Sequence, residues 1–205
     1  LGFVTETLPG YAFPSEKFSS LPSDVPLLRG INIKPGQIDW TESVFWDPIA
    51  NPVSESFALR EGDLVLGMDR PFVSGGVRVA SIGRDDVPSL LLQRTLRLRA
   101  KPGGVQGYLR YMLMTKAVLA YLEPQFTGVS VPHMSEWQIR KFVMPFPPES
   151  EQRAIVEHLD TEERVIGRSI SKAKAFIELT RERRAALISA AVTGQIDVSK
   201  EAVGG

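Results

Sequence analysis

The residues able to do covalent chemistry are few and far apart. The chain holds two histidines, His133 and His158, and no cysteine. Cysteine nucleophiles, thiolate zinc sites and disulfide scaffolds are therefore excluded. Neither histidine has a second histidine or a carboxylate at a metal-ligand spacing; His158 and Glu162, four residues apart, read as a solvated helix face. No serine sits in a Gly-x-Ser-x-Gly elbow, and no Gly-x-x-x-x-Gly-Lys-Ser/Thr loop is present. Gly103-Gly104-Val105-Gln106-Gly107 lacks the glycine order of a dinucleotide site and reads as a plain loop. The carboxylates are scattered, with no pair singled out for acid–base work.

Side chains that bind rather than react are better represented. A base edge is read by paired donors and acceptors: arginine suits guanine, and glutamine or asparagine suits adenine. Phosphate contacts need only donors and charge. The 205 residues carry 24 basic and 24 acidic side chains, which argues against a generic, charge-driven polyanion binder. The charge is uneven, however. Residues 1–70 sum to −5, residues 71–145 to +6 and residues 146–205 to −1. Positive potential for nucleic acid must come mostly from the middle stretch. The candidates in or beside it are Arg70, Ser74 and Arg78 around Gly75-Gly76, then Gln93, Arg94, Arg97, Arg99 and Lys101. Gln125, Thr127, Ser130 and His133 in the following glycine-containing loop complete the set.

The elements that must position these residues follow from the pattern. Apolar residues make up 43% and charged residues 23%, so the chain is globular rather than disordered. Residues 1–52 have the Pro/Gly texture of loops and short strands, with one strand over 27–33. A turn over 57–63 feeds a buried strand over 64–67, and a second strand covers 77–82. Residues 90–100 alternate as a single amphipathic strand. Leu90, Leu92, Arg94, Leu96 and Leu98 share one face, so Arg94 is a candidate for an inward ion pair. Gln93, Arg97 and Arg99 share the other face. One short helix is expected over 108–122 and a closing strand over 139–146. No apolar run reaches the roughly 18 residues of a membrane span. The best, 108–122, is broken by Arg110 and Lys116. The chain opens on Leu1 rather than Met, as a processed or excised piece would, and carries no basic-then-apolar leader.

Past Pro147-Pro148, residues 150–188 contain no proline and one glycine, Gly167. Their seam runs through Ile155, Leu159, Glu162, Ile166, Ile170, Ala173, Ile177, Thr180, Arg184 and Leu187, a heptad with one extra step near Gly167. This predicts a helix of about 58 Å, ended by Gly194 as C-cap. Acids crowd residues 149–163 and bases 164–184, the order that the helix dipole favours. So long a helix needs a partner. Ile155, Leu159, Ile166, Ile170, Ile177, Leu187 and Ile188 are the pairing candidates.

Two stretches carry a family resemblance. Pro147-Pro148-Glu149-Ser150-Glu151-Gln152 opens the helix, and Arg184-Ala185-Ala186-Leu187-Ile188-Ser189-Ala190-Ala191-Val192-Thr193-Gly194 closes it. Together they resemble the brackets of the spacer helix in specificity subunits of type I restriction-modification systems. Upstream, Gly10-Tyr11-Ala12-Phe13-Pro14-Ser15, Pro26-Leu27-Leu28-Arg29-Gly30-Ile31-Asn32-Ile33, Leu59-Arg60-Glu61-Gly62-Asp63-Leu64-Val65-Leu66 and Pro132-His133-Met134 fit that family's target recognition domain in order.

The resemblance implies an α+β fold. A mixed, curved β-sheet recognition domain with small helices spans 1–147, a long helix forming an antiparallel coiled coil spans 148–194, and a tail spans 195–205. It implies no catalysis in this chain and one half of a bipartite double-stranded DNA site read. The implied partners are modification (methyltransferase) and restriction subunits, which carry S-adenosylmethionine and ATP/Mg; this chain holds no cofactor. Cytoplasmic placement in a bacterium or archaeon, with no membrane, follows. A full specificity subunit holds two such units in tandem. This chain therefore reads as a half-subunit that dimerises through the helix, or as a piece that pairs with a sister half. The competing readings are a coiled-coil scaffold or protein-interaction module without sequence-specific DNA binding, and an unrecognised metal-dependent nuclease.

Overall fold

Alternation along Thr95–Ala100 decides how the recognition region is layered. This strand lies second in a four-stranded antiparallel sheet, ordered Thr5–Pro9, Thr95–Ala100, Leu64–Gly67, Val79–Ser81. Leu96 and Leu98 stand opposite Leu66 and Leu64, and all four are fully buried. They share one apolar cluster with Leu109 and Leu113 of α1 (Gln106–Leu113), Val118 and Leu122 of α2 (Lys116–Leu122) and Ile139 of α3 (Glu136–Lys141). Val65 and Ala80, one residue out of phase, join a second cluster with Leu28, Ile33, Leu59, Ile82 and Leu91. Leu64–Gly67 is thus buried on both faces, whereas Thr95–Ala100 buries its leucines and keeps Arg97 and Arg99 partly exposed on the other face. A smaller sheet pairs Val25–Leu28 parallel with Leu90–Leu91 and antiparallel with Phe45–Trp46, which makes the architecture mixed. The computed structural model describes residues 1–73, 76–126 and 132–196.

Several sequence expectations change in detail. The strand expected over 90–100 is two elements. Leu90–Leu91 belongs to the smaller sheet, and a turn at Gln93 and Arg94 precedes Thr95–Ala100. Arg94 takes φ 63°, so alternation breaks there and its side chain leaves the leucine face. The helix over 108–122 divides into α1 and α2, because Thr115 resumes extended backbone at the start of α2. The strand over 27–33 stops at Leu28 and gives way to a 3-10 turn at Gly30–Asn32. The strand over 77–82 is interrupted at Arg78. The closing strand over 139–146 is instead the short helix α3, with no strand after it. Ser135 accepts from the Gln138 amide while Gln138 Oε1 accepts from the Ser135 amide, a capping box that nucleates α3.

One close approach fixes the 93–94 turn. Gly10 donates its amide to the Thr95 carbonyl at 3.0 Å. A Cβ on Gly10 would sit 2.0 Å from the Leu92 carbonyl oxygen. No side chain fits there without moving backbone.

The long helix, α4, spans Glu149–Val192. Its first turns belong to the compact unit Leu1–Val156, and the remainder to Glu157–Gly205. Gln152 is fully buried at this root. Its Oε1 accepts from the Val105 amide at 2.9 Å, and its Nε2 donates to the carbonyls of Gly103 (3.1 Å) and Pro147 (2.8 Å). The glutamine of the Pro-Pro-x-x-Glu-Gln opening therefore stitches the helix start to the loop before α1. In the second unit, Ile166, Ile170, Ile177 and Leu187 are 56%, 51%, 48% and 50% exposed, so the predicted seam lies uncovered within the single chain. Beyond Val192, Gly194 adopts φ 73°, and the amides of Gln195 and Ile196 return to the Ala190 carbonyl, as expected of a glycine C-cap. No described helix is long and apolar enough to cross a membrane.

Two substitutions test these anchors. Gln152→Ala removes three bonds and strands buried backbone groups, so it should cost about 2–4 kcal/mol in urea unfolding. Gly10→Ala should cost at least as much by forcing the turn apart. Unchanged midpoints for both would contradict the anchoring roles.

Candidate nucleic-acid interface

Where Leu64–Gly67 ends, the chain enters a segment clasped from three sides. Met68 N–H donates to the Arg94 carbonyl at 2.9 Å, and Arg70 N–H to the Pro132 carbonyl at 2.7 Å. Met134 N–H donates back to the Met68 carbonyl at 2.7 Å, and Gly67 N–H to the Arg78 carbonyl at 2.9 Å. Stretches distant in sequence are thereby brought to one place. Arg70, Arg78, Arg94 and His133 all meet there.

Asp69 sits at the centre, a residue that nothing in its local sequence marks. Its Oδ2 accepts from Arg94 Nη1 at 2.8 Å, and its Oδ1 lies 2.6 Å from His133 Nδ1. Partial burial alone pushes the Asp69 carboxyl up, but the hydrogen bonds and charge of His133 and Arg94 bring it below 3.8. Arg78 lies half-buried beside them, with Nη1 donating to the Gly30 carbonyl at 3.3 Å. Burial, then the neighbouring Arg70 charge, lowers its pKa. Arg78 Nε is buried without a partner among the described residues. Arg70 is exposed, and both it (φ 44°) and Arg94 (φ 63°) hold left-handed backbone. These are the chain's two non-glycine residues at positive φ among those described. Such conformations cost of order 1–3 kcal/mol each and persist only where the surroundings enforce them. Arg94 and His133 hold the Asp69 carboxylate, Arg78 is held at the Gly30 carbonyl, and Arg70 stands exposed beside them, so the patch is basic.

The other candidates lie apart from this cluster or outside the described residues. Gln93 is exposed beside Arg94 in the turn. Arg97 and Arg99 lie on the sheet face opposite Leu96 and Leu98. Arg99 forms a two-pronged pair with buried Asp63: Nε to Oδ1 at 2.5 Å and Nη2 to Oδ2 at 2.9 Å. The hydrogen bond to Asp63 raises its pKa against the opposing effect of burial. Arg97 donates to the Ser56 carbonyl at 2.7 Å. Lys101 reaches the Gly2 carbonyl at 3.5 Å. Gln125 donates to the Tyr121 carbonyl and accepts from Gln138 Nε2. Ser74, Thr127 and Ser130 lie outside the described residues. Among the described residues no group of three potential metal ligands occurs. What the Asp69 cluster can do is present cationic, directional donors at a surface.

No family model matches the chain. It is 33% identical over 161 residues to the EcoAI type I restriction enzyme specificity subunit of Escherichia coli, covering 78% of this chain and 27% of that protein. It is 26% identical to the EcoBI specificity subunit of Escherichia coli, covering 91% of this chain and 36% of the relative. It is 27% identical to the MjaVIII specificity subunit of Methanocaldococcus jannaschii, covering 85% and 40%. The chain thus spans about a quarter to two fifths of these relatives. Two solved structures share the fold. One, from work on assembly and conformational transition of a type I restriction-modification system, aligns with TM-score 0.64 and 21% identity over 93% of this chain and 44% of the other. The HsdS subunit from Thermoanaerobacter tengcongensis aligns with TM-score 0.56 and 22% identity over 81% and 37%.

Two measurements check this electrostatic picture. Arg99→Ala would leave the Asp63 carboxylate buried without its cation, and should cost about 2–4 kcal/mol in denaturant unfolding, discounted for the partial exposure of Arg99. At Asp69 the lowered pKa means that the cluster's stabilisation is complete above 3.8 and fades as pH falls through the lowered value. A carbon-detected NMR titration should place the Asp69 carboxyl midpoint below 3.8, and Arg94→Ala should move it upward; no movement would contradict the pairing.

Proposed function

We propose that this chain, whose relatives are type I restriction enzyme specificity subunits, is a non-catalytic DNA-reading unit that recognises one half of a bipartite double-stranded site. The observation that carries this reading is the convergence on one basic patch of exposed Arg70 and Arg94, both on constrained backbone, with His133 and the half-buried Arg78 beside them. Arginine forks there suit base edges and phosphates alike. Arg70 and Arg78 serve mainly for phosphate and register, while the Gln93-Arg94 turn reads bases. The likeness to specificity subunits over most of the chain supports the same role.

The remaining parts of the reading concern partners. The chain docks modification and restriction subunits, and those subunits carry S-adenosylmethionine and ATP with magnesium. It works in the cytoplasm. α4 packs antiparallel against a second such helix, from another copy or a sister half, through Ile155, Leu159, Ile166, Ile170, Ile177, Leu187 and Ile188. The half-exposed seam of the second unit supports this, since a lone helix with uncovered isoleucines gains nothing from them in water. Pairing two recognition units also raises the effective concentration of each half-site reader.

The DNA reading is tested by fluorescence anisotropy on duplex DNA across salt concentrations. Log affinity should fall linearly with log salt, with a slope of about −0.9 for each phosphate engaged, and Arg70→Ala should make the slope shallower by about one. Salt-independent or absent binding would favour the protein-interaction scaffold instead. For the helix, light scattering and circular dichroism on Ile170→Asp/Ile177→Asp should show loss of association and of helicity. Identical mass and helicity in parent and variant would contradict pairing through this seam.

A further inference from the structure

Arg94 is the arginine in the cluster whose guanidinium is held by a carboxylate and still lies mostly in the open. Its side chain is 63% exposed, and a single nitrogen, Nη1, bonds Asp69. Among the described residues Nε and Nη2 bond nothing. Those two nitrogens form one edge of the guanidinium fork. Asp69 is in turn fixed from its other oxygen by His133. The backbone beneath is fixed as well: Arg94 sits at φ 63° with its carbonyl bonded to Met68, and the turn rests on Gly10, where no Cβ fits.

We propose that Asp69 buttresses Arg94 so that its free edge reads a guanine, making Asp69 a specificity-determining positioning residue. This rests on the DNA-reading function above. A fork held in one plane matches the O6 and N7 acceptors of guanine and loses little rotamer freedom on binding. The carboxylate also offsets part of the Arg94 charge. That weakens Arg94 as an indiscriminate phosphate clamp and leaves the directional bonds as its contribution. Arg70 makes the contrast: it is exposed and has no ion-pair partner among the described residues, as suits a phosphate contact. Asp69 is thus expected to lower affinity for random DNA while raising discrimination.

The test is selection by the whole chain from a randomised duplex pool, with parent, Asp69→Asn and Arg94→Lys compared at one salt concentration. Thermal melts verify that each variant is folded, and the affinity of each for random duplex is measured alongside. The parent should select a motif containing a guanine. Both variants should lose about tenfold or more of the preference at that one position and keep the others. Asp69→Asn should bind random duplex as well as the parent or better, a split that a merely structural role would not give. A parent motif without guanine overturns the proposal and leaves the DNA-reading function standing. So does a preference that both variants retain, or one that they lose evenly at every position. A parent that shows neither sequence preference nor salt-dependent binding refutes the DNA-reading function itself, and this proposal with it.

Discussion

Burial of Leu64–Gly67 on both faces, beside the leucine face of Thr95–Ala100, is the constraint on which everything else in the recognition region rests. Leu64, Leu66, Leu96 and Leu98 point to the helices, while Val65 points to the smaller sheet. A slip of one residue would exchange these sets and drive Arg97 and Arg99 among the helices. The register is therefore strongly specified, and with it the positions where the strands end. Met68 and Arg94 bond each other where the pairing runs out. The candidate site is the fringe of a sheet whose interior cannot shift.

A rigid fringe suits recognition more than catalysis. The cluster has a carboxylate and an imidazole, and they are engaged with each other and with a guanidinium: His133 bonds Asp69, and Asp69 bonds Arg94. The cost of two left-handed arginines is borne by the backbone bonds around them, which order the donors before any ligand arrives. At the other end of the same unit, Gln152 does comparable work with neutral groups, fixing the root of α4 through three backbone partners.

Much of this was legible in the sequence. The buried strand at Leu64–Gly67, the long proline-free helix and its glycine cap follow from local pattern, because each is decided by residues near one another in the chain. Residue type made Arg70, Arg78, Arg94 and His133 candidates in or beside the basic middle stretch, and the fold brings these four together. Asp69 was not, because a carboxylate's role depends on which cations the fold brings to it. Arg94 was placed on a leucine face because a strict alternation of two carries no mark of a positive φ. The strand expected over 139–146 shows the reverse case: Ser135 and Gln138 form a local capping box that starts a helix at Glu136, ahead of the apolar residues Phe142, Val143 and Met144. The Asp63–Arg99 pair lies between these extremes. Its members are 36 residues apart, and register alone brings them together.

The most direct test of the central claim is to map backbone amide shifts of the chain on titration with duplex DNA. The account predicts that perturbations concentrate at Asp69, Arg70, Gln93, Arg94 and His133, leaving Asp63, Arg97 and Arg99 nearly still. Shifts centred on the Arg97 and Arg99 face, or none at a DNA excess and low salt, would contradict it.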